Sequence, residues 1–294
     1  MIRDFSSAPL EAIGDNSQAL KAIRTAIAAV PAVEQGKYYY LWRYQSVMFE
    51  ELSNDDALTA IEAALKLEPN NLILLSKKAH LLGKKQQYRE AIAIYDLIIS
   101  QQPEADDEAY AYASRGFARY NLGQNQSAIA DYDIAININP NEAVSYYNRG
   151  LAKYGLGQYQ SAITDYERAI AINSNDAMVY VNRGACKYEL GQRQAAITDY
   201  DKAITIDTNN EQAYYNRGSI QAELRQEQAA IADFDKTIAI DPNFAQAYAN
   251  RGIAKSELGQ KQAAISDLNL AAELFRQQNR IDDYHRAIGF IQTM

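Results

Sequence analysis

Hydrophobic, small and polar positions alternate along this chain with the period of an α-helix. In residues 143–176, Tyr146, Gly150 and Ala152 fall on one helical face, and Gly157 ends the segment. A glycine just past a helix end can adopt a left-handed conformation without a Cβ clash. The sequence therefore predicts a helix that is followed by a sharp turn.

A second helix is predicted after this turn, with Ala162, Tyr166 and Ala169 on its apolar face. It should end in the polar segment 173–176, which is replaced in other copies by a turn containing proline, a residue that cannot continue a helix. Neither helix carries enough apolar surface to fold alone. We therefore expect neighbouring helix pairs to stack and to share a core.

This unit of 34 residues repeats along the chain, and with Ala143 counted as position 1 five regular copies are in register. Position 4 is always tyrosine, position 8 glycine and position 20 alanine, and we expect the tyrosines to lie in the core. Position 24 is aromatic or leucine: Tyr132, Tyr166, Tyr200, Phe234 and Leu268. Self-similarity at such a period is typical of solenoids built from helix pairs.

On these residues the chain resembles the tetratricopeptide repeat family, and its regular units look like those of bacterial, notably cyanobacterial, members. The resemblance implies an all-α fold, a right-handed superhelical solenoid of antiparallel helix pairs with a capping helix at each end. The expected segments are an N-terminal tail (1–15), a capping helix (16–37), two irregular repeats (38–105), an insertion (106–108), five regular repeats (109–278) and a C-terminal capping helix (279–294).

Two local departures from the repeat carry expectations of their own. The acidic insertion Asp106-Asp107-Glu108 should lengthen a turn between repeats as a solvated loop. Arg225 replaces the turn glycine of one unit, and a left-handed conformation there costs a non-glycine residue about 1 kcal/mol. We expect this turn to be the least stable of the five.

Position 7 is arginine and position 23 is aspartate in each regular unit. The turn lies midway between them, so an antiparallel hairpin brings the two side chains to the same height on facing helices. Arginine can bind a carboxylate through two parallel hydrogen bonds. We predict five ion pairs within repeats: Arg115–Asp131, Arg149–Asp165, Arg183–Asp199, Arg217–Asp233 and Arg251–Asp267.

The net charge of −8 and a sequence pI near 5.0 limit the possible partners. Binding to nucleic-acid phosphates needs basic stripes, and none is visible. The N-terminus lacks the pattern of a secretory signal, and no stretch approaches 18 apolar residues. These features predict a cytoplasmic protein that neither binds nucleic acid nor inserts into a membrane.

The sequence contains no recognisable catalytic or metal-binding constellation. Its two histidines, His80 and His285, lie far apart and lack further ligands at metal-binding spacing. Neither a phosphate-binding glycine loop nor a Gly-X-Ser-X-Gly motif is present. The single cysteine, Cys186, replaces small residues of other units and is interpreted as a buried side chain. We therefore expect no enzyme activity, no metal site and no cofactor.

In the family, the first helices line a concave groove, and positions 2, 5, 6, 9, 12 and 13 point into it. We call these side chains the inner stripe. Position 6 holds Asn148, Asn182, Asn216 and Asn250. They are either solvated polar residues of a wet inner face or, as the resemblance implies, amides that hold the backbone of an extended peptide. Their replacement by alanine is expected to leave stability unchanged or raised.

The polarity of the inner stripe changes along the chain. Its earlier part is apolar and aromatic, its later part carries glutamate at position 13, and neither position 5 nor position 9 holds the cations of a carboxylate clamp. The candidate partner-binding residues are Phe117, Tyr120, Tyr147, Leu151, Tyr154, Tyr188, Glu189, Glu223 and Glu257. Either they bind an apolar-then-basic segment, or the aromatics pack together and the acids keep the wall soluble.

The function predicted from these features is a non-enzymatic scaffold that binds a protein or peptide in the groove, as an adaptor, co-chaperone or complex-assembly factor. One alternative is a regulatory protein that senses a peptide. Another is a scaffold that forms homo-oligomers, although a monomer is favoured. The sequence does not identify the partner.

Overall fold

The structure is a computed structural model that describes residues 54–66 and 68–294. Within these residues it contains fourteen α-helices and no β-strand, so the predicted all-α fold of helix pairs is confirmed. The expected N-terminal tail (1–15), the expected capping helix (16–37) and the start of the first irregular repeat (38–53) lie outside the described residues.

The helices belong to two compact units that divide after Pro140. The first unit contains α1 (Asn54–Leu65), α2 (Leu72–Lys84), α3 (Tyr88–Ser100), α4 (Ala105–Asn121) and α5 (Asn125–Ile138). The second contains α6 (Ala143–Gly155), α7 (Tyr159–Ile172), α8 (Ala177–Glu189), α9 (Arg193–Ile206), α10 (Glu211–Glu223), α11 (Glu227–Ile240), α12 (Ala245–Glu257), α13 (Lys261–Gln277) and α14 (Ile281–Gln292). Within each unit, every helix packs on the next one along the chain.

A close contact between glycine and an aromatic ring forms the centre of the regular helix pairs. Tyr166 on α7 is completely buried, and its ring lies against Gly150 on α6. A Cβ atom at Gly150 would stand 2.6 Å from Cε1 of that ring, closer than van der Waals contact allows. The same contact recurs between Gly184 and Tyr200. Glycine at position 8 thus sets how closely the two helices approach.

The turns within the helix pairs have the left-handed conformation that the glycine spacing predicts. Gly157 has φ 72°, and the glycines of three other regular units have φ between 73° and 74°. Arg225, which replaces the glycine in the remaining unit (211–244), has φ 59°, so the left-handed conformation expected for this arginine is confirmed. Because arginine carries a Cβ atom and glycine does not, the left-handed conformation is strained at this turn and unstrained at the other four.

Asx turns connect one helix pair to the next in the second unit. The N–H of Asn175 donates to Oδ1 of Asn173, and Asn209 and Asp207 form the same bond at 3.0 Å. At Asp241 the turn also contains a proline, but the bond from Asn243 is the same. Since the Asx side chain stabilises the turn, proline is dispensable, and this explains why Ser174 and Thr208 can replace it.

The prediction for the acidic insertion was wrong. Residues 106–108 do not lengthen a loop; they form the first turn of α4, which begins at Ala105 and has 17 residues, compared with 13 in α6. Acidic side chains are favourable in the first turn of a helix because they face its positive end. The extra residues therefore extend the helix at its N-terminus.

The C-terminal helix α14 covers the last helix pair, as expected for a cap. Ala287 is buried, and Tyr284, Ile288 and Ile291 pack against the core that contains Phe275 of α13. Arg280, just before α14, also lies over the Phe275 ring at 4.8 Å from its centroid. The apolar face that the sequence predicted for this helix is therefore the face that is packed.

All five predicted ion pairs between positions 7 and 23 are present. In each pair the arginine Nη2 lies 2.6 Å from Oδ1 of the aspartate, and Nε binds Oδ2 at 2.8–3.1 Å. The contact is bidentate, and all five aspartates are buried. Because both partners are held at one height on facing helices, the pair fixes the register of the hairpin.

Two further contacts extend these pairs in ways that the sequence analysis did not foresee. In four of the five units a second cation, at position 11, binds the same aspartate, as when Lys187 Nζ lies 2.8 Å from Asp199 Oδ2. Arg217 reaches back from α10 to Asp201 on α9 at 2.6 Å and so links consecutive pairs. Burial alone would raise the pKa of Asp267, but the hydrogen bonds from Arg251 and Lys255 outweigh burial and lower it.

The position-4 tyrosines are less buried than predicted. Tyr180 and Tyr248 are buried, whereas Tyr112, Tyr146 and Tyr214 are only half-buried. Each ring instead supports the arginine three residues later, whose guanidinium carbon lies 5.0–5.6 Å from the ring centroid. A cation–π contact of this kind explains why tyrosine is placed beside the ion pair.

We predict opposite effects for two glycine-to-alanine substitutions. Gly150→Ala places a methyl group against the buried Tyr166 ring and should destabilise the protein by about 1–3 kcal/mol. Gly289→Ala lies within α14, where no atom stands within 4 Å of the added carbon, and should stabilise it by up to about 1 kcal/mol. Urea unfolding followed by circular dichroism measures both. Equal stability of the two variants would contradict this packing.

Burial should decide the importance of two aspartates on α9. Asp199→Asn leaves Arg183 and Lys187 without their carboxylate, and because the Asp199 side chain is only 3% exposed we expect a loss of about 3 kcal/mol. Asp201, 54% exposed, also contacts an arginine, but Asp201→Asn should cost less than about 1 kcal/mol. Urea unfolding of both variants tests the difference, and similar losses would show that burial is not decisive.

Candidate functional site

The inner stripe of the second unit borders a cleft of about 450 Å³ between α6, α8 and α10. We call it the α6–α8–α10 cleft. Five of the predicted partner-binding residues line it: Tyr154, Asn182, Tyr188, Glu189 and Asn216. The buried side chains of Val181, Tyr200 and Ile220 form its apolar part. Three further inner-stripe residues, at positions 2, 5 and 9 of one repeat, also line the cleft but were not among the candidate partner-binding residues: Gln212, Tyr215 and Ser219.

Side-chain caps fix the starts of the helices that border the cleft. Oδ1 of Asp176 accepts a hydrogen bond from the N–H of Met178 at the start of α8. Oδ1 of Asn210 accepts a hydrogen bond from the N–H of Ala213 at the start of α10. Because the inner-stripe residues follow these caps at fixed helical spacing, each repeat presents its position-6 and position-13 side chains on the same side.

Two of the position-6 asparagines donate hydrogen bonds to tyrosines of the preceding repeat. Nδ2 of Asn182 donates to the Tyr147 hydroxyl at 3.0 Å, and Nδ2 of Asn250 donates to the Tyr215 hydroxyl at 3.2 Å. Each bond joins an asparagine to position 5 of the preceding repeat. These two amides therefore have a structural role, which neither of the two interpretations offered above included.

The other two asparagines differ from this pair. Oδ1 of Asn216 accepts a hydrogen bond from Gln212 at 2.7 Å, and its side chain also bonds the Tyr200 hydroxyl. Among residues 141–294, all of which the structure describes, none forms a hydrogen bond with the Asn148 side chain. The four asparagines thus do not form one uniform row of free amides.

The three predicted glutamates also differ from one another. Glu223 accepts hydrogen bonds from the Tyr188 hydroxyl and from Nε of Arg193, the latter at 2.9 Å. Glu257 lies 2.9 Å from Nη1 of Arg225. Among the residues that the structure describes, Glu189 has no cationic partner within ion-pair distance. Two of the three acidic charges are therefore already compensated within the protein.

The aromatic residues of the stripe combine packing with exposure. Tyr147 lies against Tyr166 with ring centroids 6.0 Å apart, and Tyr154 meets Tyr159 edge-on at 5.4 Å. Burial and the charge of Glu189 raise the pKa of Tyr154. Leu151, on the same helix, is half-buried.

The inner stripe of the first unit is described by itself. Phe117 and Tyr110 on α4 are each 46% exposed, and Tyr120 is half-buried. Ile73 on α2, at the equivalent of position 2, is 57% exposed. The apolar character that the sequence predicted for this part of the stripe is therefore accessible to solvent on the described helices.

The described residues offer no group of three potential metal ligands. Cys186 is buried in the core beside Tyr166, and burial raises the pKa of its thiol to about 12, so the thiolate is disfavoured. None of the described helices combines the length and the apolarity that a bilayer span requires.

Family models and solved structures agree with this geometry. Models described as tetratricopeptide repeat or TPR repeat match residues 143–176, 116–157, 186–224, 234–266 and 211–244. Two of these matches, residues 143–176 and 211–244, coincide with helix pairs of the structure. The chain is a tetratricopeptide repeat protein.

Several solved structures share the fold. A tetratricopeptide repeat protein from Parabacteroides merdae is 19% identical, covers 86% of this chain and 99% of its own, and has a TM-score of 0.66. MamA is 25% identical over 56% of this chain and 96% of its own, with a TM-score of 0.53. YrrB, described as a TPR protein with an unusual peptide-binding site, is 20% identical over 63% of this chain and 94% of its own, with a TM-score of 0.52. No curated protein sequence matches this chain significantly.

The hydrogen bonds of the asparagines change the expectation for alanine substitutions. Asn182→Ala removes the bond to Tyr147 and should destabilise the protein by about 0.5–1.5 kcal/mol. Asn148→Ala removes no such bond, so its stability should remain unchanged or rise slightly. Thermal unfolding of the two single variants provides the comparison. If Asn182→Ala were as stable as the wild type, the Asn182–Tyr147 bond would have no structural importance.

Proposed function

We propose that this protein is a non-enzymatic scaffold that binds an extended segment of a partner protein in the α6–α8–α10 cleft, as an adaptor, co-chaperone or complex-assembly factor. The cleft itself is the observation that supports the proposal. It combines an apolar floor with amide, hydroxyl and phenol groups along its sides. This combination suits a peptide, whose backbone needs hydrogen-bond partners and whose side chains offer apolar anchors.

Unsatisfied acceptors in the cleft favour a peptide backbone as the ligand. Asn182 uses its Nδ2 to bind Tyr147, and its Oδ1 has no hydrogen bond to another described residue. The hydroxyl of Ser219 donates a hydrogen bond to the backbone carbonyl of Tyr215, so its oxygen can still accept one. Backbone N–H groups of a bound segment are suitable donors to both oxygens.

The charges of the cleft argue against enzyme activity and against a carboxylate clamp. Glu189 is the one charged side chain in its lining. The groups that most often act as catalytic base or nucleophile beside a carboxylate are histidine, cysteine, lysine or a second carboxylate, and none of them lines the cleft. A partner's C-terminal carboxylate would meet this glutamate and no cation, so an internal segment is favoured.

YrrB shows that the same fold is used by a protein described as having a peptide-binding site. At 20% identity this likeness concerns the fold. The proposal for the present chain depends on its own cleft.

A synthetic array of random peptides tests the proposal. Wild-type protein should bind a subset of peptides with micromolar dissociation constants, which is typical of transient recognition. Ala185→Trp fills the cleft from α8 and should weaken binding by at least about tenfold, the effect of losing roughly 1.4 kcal/mol.

Lys202→Trp is the matched control for this experiment. Lys202 is exposed on α9 and does not line the cleft, so the same bulky residue should leave affinity unchanged. Circular dichroism verifies that both variants fold. The absence of any peptide ligand, or equal binding by both variants, would contradict the proposal.

A further inference from the structure

The second unit contains an internal example of how its repeats bind a cation. Arg193 lies over the Tyr188 ring, with its guanidinium carbon 6.0 Å from the centroid, and its Nε donates to Glu223 Oε2 at 2.9 Å. The cation is thus held between an aromatic face and a carboxylate. In repeat numbering the three groups are position 12, position 17 and position 13 of the next repeat.

One repeat earlier, the same arrangement lacks its cation. Tyr154 occupies position 12 and Glu189 occupies position 13 of the following repeat, so they are the equivalents of Tyr188 and Glu223. Position 17, which is arginine in the later site, is Tyr159 here, and its ring meets the Tyr154 ring edge-on at 5.4 Å. Tyr154 lines the cleft, whereas Tyr159 does not, so a ligand would approach the Tyr154 ring from the cleft. The ring and the carboxylate are therefore present, whereas none of the described residues places a cation within ion-pair distance of Glu189.

The placement of this incomplete site makes it accessible to a ligand. Tyr154 and Glu189 both line the α6–α8–α10 cleft, and Glu189 is exposed. The charge of Glu189 contributes to raising the pKa of the Tyr154 phenol, which indicates that the carboxylate lies near that ring. Apart from Glu189, the twelve residues that line the cleft are uncharged, so a cation that enters the cleft is attracted by Glu189 and repelled by no lining residue.

We propose that Tyr154 and Glu189 bind an arginine side chain of the partner segment, in the way that Tyr188 and Glu223 bind Arg193. This inference rests on the proposed function, because it names the chemistry of the segment that the cleft would take. Arginine is favoured over lysine because its planar guanidinium can stack on a phenol ring and simultaneously donate to a carboxylate.

A small probe tests the site without knowledge of the partner. N-acetyl-arginine methylamide is titrated into full-length protein with isotope-labelled tyrosines, and the Tyr154 ring signal, assigned with Tyr154→Phe, is followed by NMR. The arginine probe should bind at least about fivefold more tightly than its uncharged citrulline analogue, as expected for a charge-assisted bond. The lysine analogue should fall between them. Equal binding of arginine and citrulline probes would overturn the inference.

Matched variants distinguish this site from general attraction to an acidic protein. Glu189→Gln should abolish the preference for arginine, whereas Glu223→Gln, which removes a carboxylate that Arg193 already occupies, should preserve it. Tyr159→Arg supplies the missing internal cation and should abolish the preference as well. A preference that survives both Glu189→Gln and Tyr159→Arg would place the arginine elsewhere and refute the proposal.

The outcome is separable from that of the proposed function. For array peptides that bind the wild type, replacement of one arginine by citrulline should weaken the affinity for wild-type protein by about fivefold. The same replacement should not change the affinity for the Glu189→Gln variant. If peptides bind but citrulline substitution has no effect, the arginine inference fails and the scaffold function stands. If the small probe binds at Tyr154 but no peptide binds, the scaffold function fails and the cation site stands.

Discussion

The buried ion pair between positions 7 and 23 is the interaction on which the regular repeats depend. Each aspartate is withdrawn from water and would be costly to bury alone, but a bidentate arginine compensates its charge. The pair has one satisfactory geometry, so it fixes how far one helix can slide along the other. Since the inner stripe lies on the first helix, this register also fixes where the stripe residues stand relative to the second helix.

The fold and the five ion pairs could be predicted because both follow from local rules that repeat at a constant period. Glycine positions locate the turns, and two residues equidistant from a turn must meet in a hairpin. Bonds between repeats could not be predicted in this way. Asn182 and Tyr147 meet only when one repeat stacks on another, and nothing in the sequence of a single repeat states the angle at which this occurs.

The prediction that failed, for the acidic insertion, and the one that held only in part, for the position-4 tyrosines, have a common physical cause. In both cases one residue type suits two environments. An acidic run is favourable in a solvated loop and equally at the start of a helix, and in α4 the second applies. Tyrosine at position 4 suits a core, but its face also suits a guanidinium, and a half-buried ring satisfies both.

The candidate site arises from differences between repeats, while the fold arises from what they share. Position 17 is arginine in the repeat that contains Tyr188 and tyrosine in the one that contains Tyr154. The arginine, Arg193, compensates the charge of Glu223 in the following repeat. The tyrosine, Tyr159, has no charge, so Glu189 in its following repeat stays uncompensated. A difference at one position thus leaves a carboxylate in the cleft without an internal cation. This is how a repeat array can acquire specificity without altering its core.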